Sequence, residues 1–215
     1  MKGLLITIEG GDGSGKATQS QRLYERLINE GYNAKEISFP NYESDSSALV
    51  KMYLNGEFGL DPYDVDPYVA STFYAVDRYA SYKKEWGNFY LQGGIIIADR
   101  YTTANMIHQA AKISDAAEKD KFLNWLVDFE FNIFKLPQPD CVFFLDVPPE
   151  LSIKLMQQRC NKYTGSKEKD IHERNFAYIE KTYKNACIVG DRYGWNRINC
   201  IDVGKLRPID QIHEE

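Results

Sequence analysis

The sequence predicts a three-layer α/β/α domain: a five-stranded parallel sheet with helices on both faces, and a small lid. Three observations carry this. Five short apolar runs, rich in β-branched residues, alternate with longer stretches of helical periodicity, the pattern of parallel strands joined by helical crossovers. No repeat, linker or low-complexity tract divides the 215 residues, so 1–215 reads as one domain. Hydrophobic residues make up 43% of the chain, enough for a sizeable core.

The elements follow in order. Leu4 to Ile8 is a short apolar strand. Lys16 to Glu30 is a helix with Leu23, Leu27 and Ile28 on one face, ended by Gly31. Ala34 to Phe39 is the second strand, stopped by Pro40, and a loop with a short helix runs to about Asn55. Pro67 sits in the first turn of a long helix reaching Leu91. Ile95 to Ala98 is a strand. Ala116 to Lys135 is helical and ends before Pro137. Cys141 to Asp146 is a buried strand, and Pro149 to Arg159 and Ile171 to Val189 are helices. Arg197 to Val203 is the last strand. Between the last two helices, Asn161 to Lys169 is polar, holds Gly165 and carries Lys162, Lys167 and Lys169; it reads as a lid at about 159–172.

Composition excludes several classes of function. The net charge is −5 with no long basic run, so neither nucleic acid nor an anionic membrane is the expected partner. No stretch of 18 apolar residues predicts a membrane span. The apolar run at the N-terminus is too short for a signal peptide. Cys141, Cys160, Cys187 and Cys200 lack zinc or redox spacing and read as plain thiols of a reducing cytoplasm.

The informative stretch is GGDGSGKATQ, Gly10 to Gln19. Gly10, Gly15 and Lys16 meet the phosphate-loop spacing, and the loop lies between a strand and a helix, the context that gives the motif its meaning. Gly10, Gly11, Asp12, Gly13, Ser14, Gly15, Lys16, Ala17 and Thr18 are thus candidates to hold a nucleoside triphosphate: backbone N–H groups converge on phosphate, the helix N-terminus adds partial positive charge and Lys16 a full one. The fold class sharpens to the P-loop NTPase type. One position departs: where a hydroxyl would ligate magnesium stands Ala17, and Thr18, about 100° further round the helix, cannot take its place. A second feature lies at another strand end. Asp99-Arg100-Tyr101 follows Ile95–Ala98, where ligands of parallel α/β sheets bind. Asp99 can hold Mg2+ there and Arg100 can grip phosphate. A third is Tyr74 with Arg78 in FYAVDRY, though aromatics at helical spacing are equally at home in a core.

Together these residues resemble the thymidylate kinases. IEGGDGSGK resembles the family's loop with its acidic residue, here Asp12. Ser38-Phe39-Pro40 resembles the Phe-Pro segment of the acceptor pocket, Tyr74 to Arg78 the aromatic-x-x-x-Arg stretch, and Asp99-Arg100-Tyr101 the DR[YH] motif. Asn105, His108 and Gln109 match further pocket positions. The resemblance implies transfer of the γ-phosphoryl of ATP to dTMP, magnesium dependence and a homodimer. It implies that Phe39, Pro40, Tyr74, Asn105, His108 and Gln109 line the dTMP site, that Arg78 and Arg100 contact the dTMP phosphate, and that Asp12 orients the 3′-OH. Gly13 stands where some members carry a loop arginine, so the lid must supply the cation: Arg159, Lys162, Lys167 or Lys169. Arg159 alternatively stacks on adenine. The residues placed in the chemistry are therefore Lys16, Asp12, Arg100, Asp99, Arg159 and Lys167. Asp170 and Glu173 match an acidic pair of some bacterial members and equally a capping box. Tyr42 stands near where many members have an arginine. A kinase of another acceptor, and a nucleotide binder without turnover, are the competing readings.

Overall fold

The computed structural model describes residues 2–157 and 170–215. In chain order the elements are β1 (Leu4–Gly10), α1 (Lys16–Asn29), β2 (Ala34–Ser38), α2 (Ala48–Leu54), α3 (Pro67–Ser81), α4 (Gly87–Leu91), β3 (Ile95–Asp99), α5 (Thr102–His108) and α6 (Ala116–Val127). There follow β4 (Cys141–Asp146), α7 (Pro149–Gln157), α8 (Ile171–Arg174), α9 (Phe176–Tyr193), β5 (Asn196–Asn199), the pair β6 (Ile201–Asp202) and β7 (Lys205–Leu206), and α10 (Ile209–His213). Five strands form one parallel sheet in the order β2-β3-β1-β4-β5, as the alternation predicts. β1 lies at the centre, which is why its interior residues Leu5, Thr7, Ile8 and Glu9 are buried.

Both faces are covered. Leu5, Ile96 and Ala98 pack with Phe39, Trp86 and Tyr101 on one side; Ile8, Ile97, Leu145 and Ile198 pack under Leu23 and Leu27 of α1 on the other. Ile28, expected on that inner face, is 43% exposed, and Tyr24 packs there beside Leu23 and Leu27 instead. From β1 the chain goes out to β2, returns to β3 and then crosses to β4, so the carboxyl ends of β1 and β3 flank the reversal point where such sheets bind ligands.

Several boundaries differ from expectation, each for a local reason. The helix predicted over 67–91 is interrupted by a π-helical turn, Tyr82–Trp86, which drives the Trp86 indole into the core. The helix predicted over 171–189 breaks at Asn175, whose side chain caps α9 by accepting from the Tyr178 N–H (3.0 Å). The last strand stops at Asn199, and residues beyond it fold back as the β6–β7 hairpin. α5 and α10 are short helices the pattern does not announce, because neither spans enough residues to display a period. Arg159, Lys162, Lys167 and Lys169 lie outside the described residues, and with them most of the expected lid.

Candidate active site

The loop between β1 and α1 starts where β1 ends, at Gly10. Gly13 (φ 80°) and Gly15 (φ 91°) both adopt left-handed backbone that lets the chain fold around a phosphate-sized space. At Gly13 there is a second constraint: a Cβ would stand 2.9 Å from the Ser152 carbonyl of α7. An arginine would not fit this backbone, which accounts for glycine at a position the resemblance marks as variable. Lys16, on the first turn of α1, is 4% exposed, and its ammonium donates to the Gly11 carbonyl (2.8 Å) across the loop. Ser14 is buried, whereas Ala17 and Thr18 face solvent.

Asp99 closes β3 beside Ile8 of β1, one strand from the loop, and is 4% exposed. Arg100 follows in left-handed backbone (φ 71°), unusual for a residue with a side chain and typical of functional turns. Its N–H is held by the Ile8 carbonyl (3.1 Å). Its guanidinium lies at the rim of the cleft, with Nη2 paired to Asp12 Oδ1 (2.6 Å) and Nη1 donating to His108 Nε2 (2.9 Å). Because guanidinium can only donate, His108 accepts there and is neutral. Burial, then Arg100 itself, holds its pKa well below the ordinary histidine range.

Arg78 is different in kind. It is 1% exposed, and Glu130, itself wholly buried, takes its fork at 2.7 Å (Nε) and 2.6 Å (Nη2). Thr102 Oγ1 donates to the same carboxylate (2.7 Å), and Arg78 Nη1 reaches the Tyr101 carbonyl (3.4 Å). Unlike Arg100, Arg78 thus meets the cleft with its fork already held by a carboxylate. Its charge is already neutralised by a bidentate partner, and only residual N–H capacity faces the cleft, a donor better matched to an uncharged oxygen.

These residues converge on a cleft lined by Asp12, Phe39, Pro40, Tyr74, Arg78, Arg100, Asn105, His108 and Gln109, together with Tyr42, Asp170 and His172. All nine residues expected to line the acceptor pocket are thus brought together. Gln109 is fully buried in the cleft wall, its amide beside the Tyr53 hydroxyl. Asn105 is buried, its amide donating to the Ser71 carbonyl (3.3 Å). A second pocket adjoins, also walled by Asp12, His108 and His172.

Sequence reasoning missed Glu9, Glu130 and His172. Glu9, wholly buried, accepts from the Tyr101 N–H (3.1 Å) and Thr103 Oγ1 (2.6 Å), tying the phosphate loop to the Asp99-Arg100-Tyr101 turn. A charge in the last apolar positions of a central strand was the available signal. Glu130 has none, being 52 residues from Arg78 on a helix that reads as amphipathic. Asp170 caps α8, accepting from the N–H groups of His172 and Glu173 (both 2.9 Å), so the capping reading holds on its side. It also lines the cleft, where burial and then Asp12 push its pKa up to about 7.

Among the described residues no group of three or more His, Cys, Asp or Glu side chains forms a metal cage, and no helix is long and apolar enough to cross a membrane. Magnesium keeps most of its waters and needs only one or two carboxylates, and Asp99 at the strand end is the buried carboxylate that would hold it.

Residues 8–191 match the family model described as thymidylate kinase. This chain belongs to the thymidylate kinase family. The thymidylate kinase of Mycobacterium tuberculosis is 30% identical over 182 residues, covering 83% of this chain and 82% of that one. That of Plasmodium falciparum is 30% identical over 214 residues, covering 100% and 88%. Among solved structures, thymidylate kinase from Candida albicans superposes with a TM-score of 0.71 at 24% identity, covering 99% of this chain and 88% of that one. The enzyme from Ehrlichia chaffeensis gives 0.67 at 19%, covering 100% and 96%, and both likenesses are of fold. The nucleotide-binding kinase expected from the loop and the strand-end pair is borne out at the level of family and architecture.

Proposed function

We propose that this protein transfers the γ-phosphoryl group of ATP to the phosphate of dTMP, giving dTDP and ADP, as a cytoplasmic enzyme. The observation that carries this reading is the Asp12–Arg100–His108 cluster, which stands where the phosphate loop meets the cleft holding Tyr74, Asn105 and Gln109. Donor phosphates are assigned to the backbone amides of residues 11 to 17 and to Lys16. Arg100 takes the acceptor phosphate and Asp12 the sugar 3′-OH. Tyr74 lies against the base, and Arg78, Asn105 and Gln109 offer hydrogen-bonding groups to its edge. Phosphoryl transfer needs positioning and charge neutralisation more than covalent help, and a nucleotide phosphate is already an anionic nucleophile, so no strong base is assigned. Magnesium, when bound, neutralises charge on the donor oxygens; Asp99 would hold it, directly or through water. Lid cations, with Arg159 and Lys167 foremost, complete the neutralisation. A homodimer is part of the reading: Val69, Val76 and Tyr79 leave an apolar stripe on α3 exposed, and sedimentation would report it.

The test is a side-by-side assay of dTMP, dUMP, dCMP, dGMP, UMP and thymidine with magnesium and ATP. dTMP should be preferred, with a clear preference for the deoxy sugar. Equal rates with dTMP and UMP would remove the assignment, and tight ATP binding without ADP formation would make the protein a binder.

A further inference from the structure

Lys112, just beyond α5, is only 8% exposed. Its ammonium donates to Tyr53 Oη (2.9 Å) and to the Val65 carbonyl (3.0 Å), and it lies over the Tyr53 ring. The carboxylates that bear on its charge, Asp61 and Asp66, make no ion pair with it, and burial lowers its pKa to about 8. Tyr53, wholly buried on α2, places the same oxygen 2.9 Å from His172 Nε2 and 3.4 Å from the Pro62 carbonyl. His172 lines the acceptor cleft, its ring parallel to that of His108 with centroids 6.0 Å apart. None of these three residues has a role in the proposed chemistry.

The direction of the chain follows from donor and acceptor counting. Lys112 only donates, so Tyr53 Oη accepts from it. The Gln109 amide beside the hydroxyl can donate to its second lone pair, and the single phenolic proton goes to the nearer acceptor, His172 Nε2, rather than to the distant carbonyl. An imidazole that accepts at Nε2 carries its proton on Nδ1. We infer that Lys112 is a positioning residue which, through Tyr53, fixes His172 as the Nδ1–H tautomer and so presents a neutral hydrogen-bond donor to an oxygen of the acceptor nucleotide. Burial lowers the His172 pKa to about 3, so the donor stays uncharged at working pH. Neutrality suits a cleft wall that already holds Asp12 and Asp170 and must release its product.

The inference rests on the acceptor reading of the cleft, but its first test does not. With three histidines in the chain, 15N spectra of the ligand-free protein are assignable by substitution. Wild type should show a single Nδ1–H tautomer at His172, whereas Lys112→Met and Tyr53→Phe should both show tautomer mixtures. In both variants the KM for dTMP should rise about 2- to 12-fold, the worth of one hydrogen bond, while kcat changes little. Lys112→Arg, which keeps the donor, should restore tautomer and KM. A rise that persists with 3′-deoxy-dTMP assigns the bond to phosphate, and one that vanishes assigns it to the sugar hydroxyl. Wild-type His172 protonated on Nε2, or one tautomer shared by wild type and both variants, overturns the inference. Failure to phosphorylate dTMP while the tautomer shifts as expected removes the acceptor reading instead.

Discussion

Two arginines with acidic partners stand in the same cleft and differ in almost everything else. Arg78 and Glu130 are 1% and 0% exposed, bidentate, and buttressed by Thr102 and the Tyr101 carbonyl. Arg100 and Asp12 are 14% and 29% exposed and joined through one contact, with His108 as third member. The first pair is locked: nothing from solvent replaces either partner without stranding a buried charge. The second lies at the rim, where an incoming anion can compete. An arginine's type and spacing therefore do not reveal its task; the number and burial of its existing partners do.

The comparison can be broken most sharply at Glu130. Glu130→Ala should cost about 3–5 kcal/mol of folding stability, read from urea unfolding, because it leaves Arg78 charged and unpaired. A double change, Arg78→Met with Glu130→Leu, should recover most of that loss while the KM for dTMP stays raised. Next comes Arg100→Ala. It should lower kcat/KM for dTMP by about 10²–10³-fold, as when a preorganised charge is removed, and cost less stability than Glu130→Ala. If Arg78→Ala proved the more damaging to turnover in folded protein, the two roles would be reversed.

Asp99→Asn should raise the barrier by on the order of 2–4 kcal/mol and increase the magnesium needed for half-maximal activity. Retention of near-full activity at low magnesium would place the metal elsewhere. Asp170 tests the rim by pH. Its folded pKa is raised to about 7 from a usual value near 3.8, so its contribution to stability is whole below the latter and is lost as pH rises through the former. Asp170→Asn keeps the cap and should therefore gain on wild type between about pH 4 and 7, by at most about 1.4 kcal/mol per pH unit, then level off. A constant difference across that range would contradict the shift. Smallest is Ala17→Ser: a restored hydroxyl should change activity by no more than about 0.5–1.5 kcal/mol, visible as a slightly lower magnesium requirement.

The strands, the loop and the strand-end Asp99-Arg100 were legible because each is local: period, glycine spacing and position at a carboxyl end all fall within a few residues. What was illegible depends on distance along the chain. Glu130, the carboxylate that holds Arg78, lies 52 residues away along the chain. Tyr53, Lys112 and His172 carry no motif and become a unit only when α2, the turn after α5 and α8 meet. Asn175 hid the break between α8 and α9, because a cap residue in an amphipathic run looks like one more polar position.

If Arg100 takes the phosphate and Asp12 the sugar hydroxyl, as proposed, the contact between them makes the acceptor site a coincidence detector. Each residue satisfies the other until something better suited arrives for both. A free phosphate ion offers an anion to Arg100 but no hydroxyl to Asp12. A nucleoside offers Asp12 a hydroxyl but brings no anion to Arg100. Only a molecule bearing both groups on one sugar answers both at once, so the affinity for a nucleoside monophosphate exceeds what its halves would suggest. Inorganic phosphate and nucleosides, both abundant in a cell, are turned away without any group devoted to excluding them.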